Sequence, residues 1–204
     1  MANRCPVLIF ASGKSTRMGH PKALLTIDRI PWIAHQVNCL HSLGFINIFI
    51  ITNIDLYSTL KKLCPNQTIL LNELDSLGPF SSIQCGVQAI LKKLPSSSIF
   101  IKPVDIPIPD AEVWQELESK ITPGILATIP SYLNKKGHPV CISNDLAKKI
   151  DKFDVHSENA RLDYILKDVS EQQKLICNVN DAKIILNINS PEDWEKYLAT
   201  YSGI

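Results

Sequence analysis

The sequence predicts an α/β fold of three α/β/α layers, with helices packed on both faces of a mixed, mostly parallel sheet. Three observations predict it. Short runs rich in Ile and Val recur along the 204 residues, amphipathic stretches alternate with them, and no internal repeat or flexible linker interrupts the pattern. That length supports one substantial core, so residues 1–204 read as a single domain.

Strands are expected at Pro6 to Ala11, Ile46 to Thr52, Thr68 to Leu71, Ser98 to Pro103, Ile125 to Ile129, His138 to Ile142 and Ala182 to Ile188. Each is a short apolar run, the form taken by strands covered on both faces. The first intervening helix is expected at Pro31 to Leu43, where Ile33, Val37 and Leu40 form one stripe and Pro31 fits the first helical position. Further helices are expected at Tyr57 to Leu63, Ser81 to Lys93, Ala111 to Ile121, Asn144 to Lys152, Ala160 to Ser170 and Pro191 to Tyr201, with Asp110 and Ser190 at N-cap positions. Ser131 to Gly137, containing Asn134, Lys135, Lys136 and Gly137, reads as an exposed turn or lid.

Composition excludes several classes of function. A hydrophobic fraction of 45% and a charged fraction of 20% are ordinary for a globular chain. Twenty-one basic residues against 20 acidic ones leave no field for DNA, RNA or an anionic membrane, so no nucleic-acid or membrane partner is expected. The six cysteines, at positions 5, 39, 64, 85, 141 and 177, form neither a CxxC pair nor a zinc pattern, and they suit free thiols in the cytoplasm. The opening residues read as a first strand, and no run approaches membrane-spanning length.

The chemistry concentrates in FASGKSTRMGHPKALL, residues 10 to 25, which follow the first strand. Glycine directly after a parallel strand lets backbone N–H groups approach a phosphate closely, and Arg17 and Lys22 supply charge to offset a triphosphate. Two better-known phosphate loops do not fit. GKST mimics the end of a Walker A loop, but Leu8 stands where its first glycine is required, and the glycines do not fall at G-x-G-x-x-G spacing. A second candidate is KPVDIPIP, residues 102 to 109, where Asp105 ends a buried strand and is placed to hold Mg²⁺ against a triphosphate. The same aspartate also suits a plain turn.

Quoted in full, FASG-KSTRMG-HPKALL resembles the opening signature of the MobA-like NTP transferases, with glycine, arginine, Met-Gly and Pro-Lys in register. Four further segments resemble the family in its own order: GPFSSIQCGV at 78 to 87, KPVDIPIP, GHPV at 137 to 140 and NINSPEDWE at 187 to 195. The resemblance implies a Rossmann-like, GT-A-like nucleotidyltransferase fold. It also implies a magnesium-dependent enzyme that moves a nucleoside monophosphate from an NTP to a small phosphorylated acceptor and releases pyrophosphate. It implies nucleotide contacts from Phe10, Ala11, Ser12, Gly13, Lys14, Arg17, Lys22, Gly78, Ser81 and Ser82, with Lys22, Arg17 and Asp105 as the catalytic set. Asp105 becomes the metal ligand, Asn187 or Asn189 supplies a second oxygen, and His138 approaches the acceptor phosphate.

The branch within the family rests on fewer residues. Pro21-Lys22 and Gly137-His138-Pro139 favour a molybdenum cofactor cytidylyltransferase, while the Asn-rich closing motif is shared with molybdopterin guanylyltransferases. CTP or GTP is therefore the expected nucleotide and molybdopterin the expected acceptor. Sugar-1-phosphate and methylerythritol-phosphate enzymes are alternatives, as is a catalytically silent nucleotide-binding regulatory subunit. A monomer or weak homodimer is expected. Ser12 and Arg29 depart from the family pattern, Arg29 standing where glycine is usual.

Overall fold

In the computed structural model, residues 4–13 and 17–201 are described; Lys14 lies outside them. Among the described residues ten strands appear in chain order: β1 Val7–Phe10, β2 Thr26–Ile27, β3 Ile30–Pro31, β4 Ile48–Thr52, β5 Thr68–Leu71, β6 Ile99–Pro103, β7 Ala127–Tyr132, β8 Lys135–Lys136, β9 Val140–Ile142 and β10 Lys174–Asn178. The helices are α1 Trp32–Ser42, α2 Ile54–Leu63, α3 Pro79–Lys93, α4 Ala111–Ser119, α5 Asn144–Asp151, α6 Leu162–Asp168 and α7 Pro191–Tyr201.

The main sheet runs β10-β7-β9-β6-β1-β4-β5, with β8 paired to β7. Its centre is parallel, because β1 pairs in parallel with both β4 and β6. It becomes mixed at β9, which runs antiparallel to β6 and to β7. Alternation along β1 divides two cores. Val7 and Ile9 enter one, with Trp32 and Leu40 of α1, Leu60 of α2, Trp114 of α4 and Trp194 of α7. Leu8 enters the other, with Ile83 and Val87 of α3, Ile150 of α5 and Ile165 of α6. The result is the expected three-layer α/β/α arrangement.

Local chemistry sets the helix starts. Asn53 accepts from the Leu56 amide at 3.2 Å and caps α2, and Ser143 does the same for α5. At α7 the Ser190 hydroxyl accepts from the Asp193 amide, while the Asp193 carboxylate accepts from the amides of Asn189 and Ser190. Gly86 lets α3 lie close on β1, since a Cβ there would stand 2.4 Å from Leu8 Cδ1.

Several sequence expectations are corrected. Ala182 to Ile188 is not a strand: the Asp181 carboxylate caps the Lys183 amide and a 3₁₀ turn forms at Ala182–Ile185. The last strand is β10 instead, where no strand was expected. Ser131 to Gly137 is a hairpin, with Leu133 and Asn134 at φ 47° and 63° between β7 and β8. Pro31 ends β3 and precedes the first turn of α1. Asp110 stands at the N-cap of α4 without a capping bond; its carboxylate meets Lys183 Nζ at 2.5 Å.

Candidate active site

The C-terminal ends of β1 and β6 lie side by side, with Phe10 opposite Pro103. The chain leaves β1 to build β4 and β5 on one flank and returns through α3 to β6 on the other, so this is the switch point of the sheet, where open α/β folds form their crevice. A cleft of about 410 Å³ opens there. Phe10, Ala11, Ser12, Gly13, Lys22, Gly78 and Asp105 line it.

Met18 is buried, and the chain turns at Gly19, φ 72°, where a side chain is disfavoured. It leads through Pro21 into a 3₁₀ turn, Lys22–Leu24, whose Ala23 is buried and fixes the lysine above the strand ends. Lys22 Nζ donates to Asp105 Oδ2 at 2.8 Å and to Asn189 Oδ1 at 2.7 Å. Arg17 Nη2 reaches the same Asn189 oxygen at 3.4 Å. Ile188 is buried and its amide donates to the Asp105 carbonyl at 3.0 Å, which carries Asn189 to the aspartate. Neither Asn187 nor Asn189 is among the residues that line the cleft; Asn189 is half-buried and bonds Lys22, whereas Asn187 is exposed.

A carboxylate oxygen and an amide oxygen thus converge on one cationic group. Two protein oxygens of this kind suit a hard divalent ion that keeps its waters and takes its other ligands from phosphates. Among the described residues no cluster of three or more His, Cys, Asp or Glu could hold a metal alone.

Under the cleft lies a buried polar network. Asn72 Nδ2 donates to the hydroxyls of Ser81 and Ser82 at 2.8 and 2.9 Å, Ser81 Oγ donates to the Gly78 carbonyl, and the Ser12 and Ser82 hydroxyls are 2.5 Å apart. Ser81 and Ser82 therefore stand behind the cleft wall and brace the turn at Gly78, φ 92°. Asn53 Nδ2 donates to the Ser12 carbonyl. Sequence reasoning passed over Asn53, Asn72, Leu56, Asp75 and Ser76, the last three of which line the cleft. The signal for the two asparagines is their place, each directly after a parallel strand of the crevice.

His138 belongs to an adjoining cavity of about 600 Å³ that shares Phe10 and Pro79 with the first. Its amide donates to the Ile184 carbonyl, and Gly137 is required beside it because a Cβ would lie 2.2 Å from that oxygen. Burial pushes the imidazole down to about 4, and among the described residues Nδ1 is buried without a partner. The ring is neutral at physiological pH. The cavity is walled by side chains such as Phe80, Ile129, Val140 and Leu166, with Lys136 and Lys167 at its edge.

The family model described as the MobA-like NTP transferase domain matches residues 7–174. A probable molybdenum cofactor guanylyltransferase of Carboxydothermus hydrogenoformans is 26% identical over 200 residues, covering 96% of each chain. The molybdopterin-guanine dinucleotide biosynthesis protein A of Archaeoglobus fulgidus superposes with a TM-score of 0.73 at 16% identity, covering 98% of this chain and all of that one. A Mycobacterium tuberculosis protein solved as a complex with manganese gives a TM-score of 0.73 at 14% identity over 97% of this chain and 99% of its own.

Proposed function

Because this chain belongs to the MobA-like NTP transferase family and is a nucleotidyltransferase, we propose that it transfers the nucleoside monophosphate of CTP or GTP, with a divalent cation, to a phosphorylated acceptor of the molybdopterin type. The observation that carries this reading is the meeting of Lys22, Asp105 and Asn189 at the mouth of the Gly13 turn.

An oxygen of the acceptor phosphate attacks the α-phosphorus in line, the bond to the bridging oxygen breaks, and pyrophosphate leaves. The acceptor arrives ionised, so the step requires no protein base. Backbone groups at Gly13 and the Arg17 cation hold the β- and γ-phosphates, and Lys22 offsets charge building on the transferring group. Asp105 and Asn189 would hold magnesium, which when bound supplies positive charge against the triphosphate.

The 600 Å³ cavity is the acceptor side. Its neutral His138 suits a hydrogen bond better than a salt bridge to phosphate, and Lys136 and Lys167 at the edge supply cations for the anionic end. On the nucleotide side, Asp75 lines the cleft, where its carboxylate would accept from an exocyclic amino group, which cytosine, guanine and adenine carry and uracil lacks. The guanylyltransferase relative favours GTP, whereas Pro21-Lys22 and the GHP segment favour CTP.

Pyrophosphate release, measured with each NTP, Mg²⁺ and a panel containing molybdopterin and sugar phosphates, tests the proposal. Release with molybdopterin and either CTP or GTP is the expected result and names the branch. Nucleotide binding without release under every acceptor would favour the regulatory reading.

A further inference from the structure

The turn bearing Asp105 has four carbonyls, from Pro103 to Ile106, and each accepts a hydrogen bond. Val104 O receives Trp32 Nε1 at 2.8 Å and Gln36 Nε2 at 2.7 Å, both from α1. Asp105 O receives the Ile188 amide. The other two accept from Lys102 Nζ, which donates to Pro103 O at 2.9 Å and to Ile106 O, and which gives its third bond to Gln36 Oε1 at 2.7 Å. Three oxygens thus meet the three hydrogens of an ammonium.

Lys102 is 0% exposed, on a strand whose other buried members include Ile99, Phe100 and Ile101. Burial of an ammonium is costly, and an apolar side chain would pack a sheet centre at less expense. Burial pushes the Lys102 ammonium down to about 7; in its charged form it adds three bonds, each stronger than a neutral one, across the turn itself. Without them two carbonyls on either side of Asp105 lose a partner, along with the Gln36 oxygen.

We infer that Lys102 is a positioning residue for the metal-binding carboxylate, fixing the turn so that Asp105 and the Asn189 that follows Ile188 face a single cation. This rests on the proposal that Asp105 holds a divalent cation with the triphosphate. Groups that orient a metal ligand from behind typically change metal affinity by about 10- to 100-fold when removed.

The test is Mn²⁺ binding, followed by loss of the free-ion EPR signal in the presence of a non-hydrolysable NTP analogue. Lys102→Met is expected to weaken Mn²⁺ binding by about tenfold or more, with the metal-free affinity for the analogue retained. A purely structural lysine would lower the melting temperature and leave the Mn²⁺ affinity of the folded protein unchanged, and that result overturns the inference. Gln36→Leu removes the partner side of the same network and is expected to weaken Mn²⁺ binding in the same direction. If Lys102→Met does not fold, Gln36→Leu carries the test, and wild-type affinity in it overturns the inference. Asp105→Asn separates the two proposals. Wild-type Mn²⁺ affinity in that variant sinks the metal reading and the inference together, whereas loss there with retention in Lys102→Met sinks the inference alone.

Discussion

Lys22 and Asp105 bond to each other at 2.8 Å with side chains only 12% and 23% exposed, and both line the nucleotide cleft. Their pairing contributes modestly to stability, because partly solvated ion pairs do. Their value lies in the charge that develops during transfer. Lys22→Ala and Asp105→Ala are each expected to lower turnover by about 100-fold or more, the scale of a lost transition-state donor, with melting temperatures close to wild type. Near wild-type turnover in either variant removes that residue from the mechanism. His138 gives a second prediction. Its folded pKa of about 4 lies below the unfolded value, so unfolding takes up a proton between about pH 4 and 6.5. Stability should therefore fall as pH drops through that window, by about 3 kcal/mol in all for this group, and chemical denaturation at pH 7 and 4.5 should show a smaller loss in His138→Gln. Arg29, the residue that departs from the family's glycine, has φ 65° beside Asp28 at 50°, in the two-residue turn between β2 and β3. Glycine relieves that strain but loses more chain entropy, so Arg29→Gly should stabilise by about 0.5–1 kcal/mol, measured by the same denaturation.

At the scale of elements, the Asn189 segment depends on the start of α7. The Asp193 carboxylate accepts from the Asn189 and Ser190 amides, and both bonds hold Asp193 below the usual carboxylate range. Ser190→Ala removes one cap and should cost about 1 kcal/mol, with a matching fall in melting temperature. Asp193→Ala releases the backbone of Asn189 itself, and should reduce turnover by more than its stability loss accounts for. A parallel loss of both would show that the cap serves only the helix. SPED was readable as a helix start because its capping chemistry is local to four residues. The final strand was not. Lys174 and Asn178 disguise the ends of β10, an edge strand whose Ile176 is exposed, while Lys174 Nζ is buried on the carbonyls of Leu166 and Val169, contacts invisible in sequence. The apolar run after Asp181 looked like a strand, but Asp181 turns it, and its Ile184 carbonyl serves His138. In the site, the glycine turn and Asp105 were readable because each lies within three residues of the end of a strand. Lys102 and Gln36 were hidden, since their meaning depends on α1 lying against β6.

Over the whole molecule, the site is assembled from segments far apart in sequence: the turn after β1, the loop near Asp75 and the Asp105 turn line the cleft, and the Asn189 stretch joins them through Lys22. None of them is near another in the unfolded chain. A nucleotide that needs all of them at once therefore binds the folded state and has little affinity for the unfolded one. At 100 times its Kd such a ligand stabilises the fold by about 2.7 kcal/mol, which for a chain of this size corresponds to a rise in melting temperature of about 5–10 °C. CTP or GTP with Mg²⁺ is accordingly expected to raise the thermal midpoint by that amount. Lys22→Ala should lose most of the rise at the same nucleotide concentration, because it removes the cation that joins the first segment to the last two. A nucleotide held by the Gly13 turn alone would give the same shift in wild type and Lys22→Ala, and that equality would show that the distant segments take no part in binding.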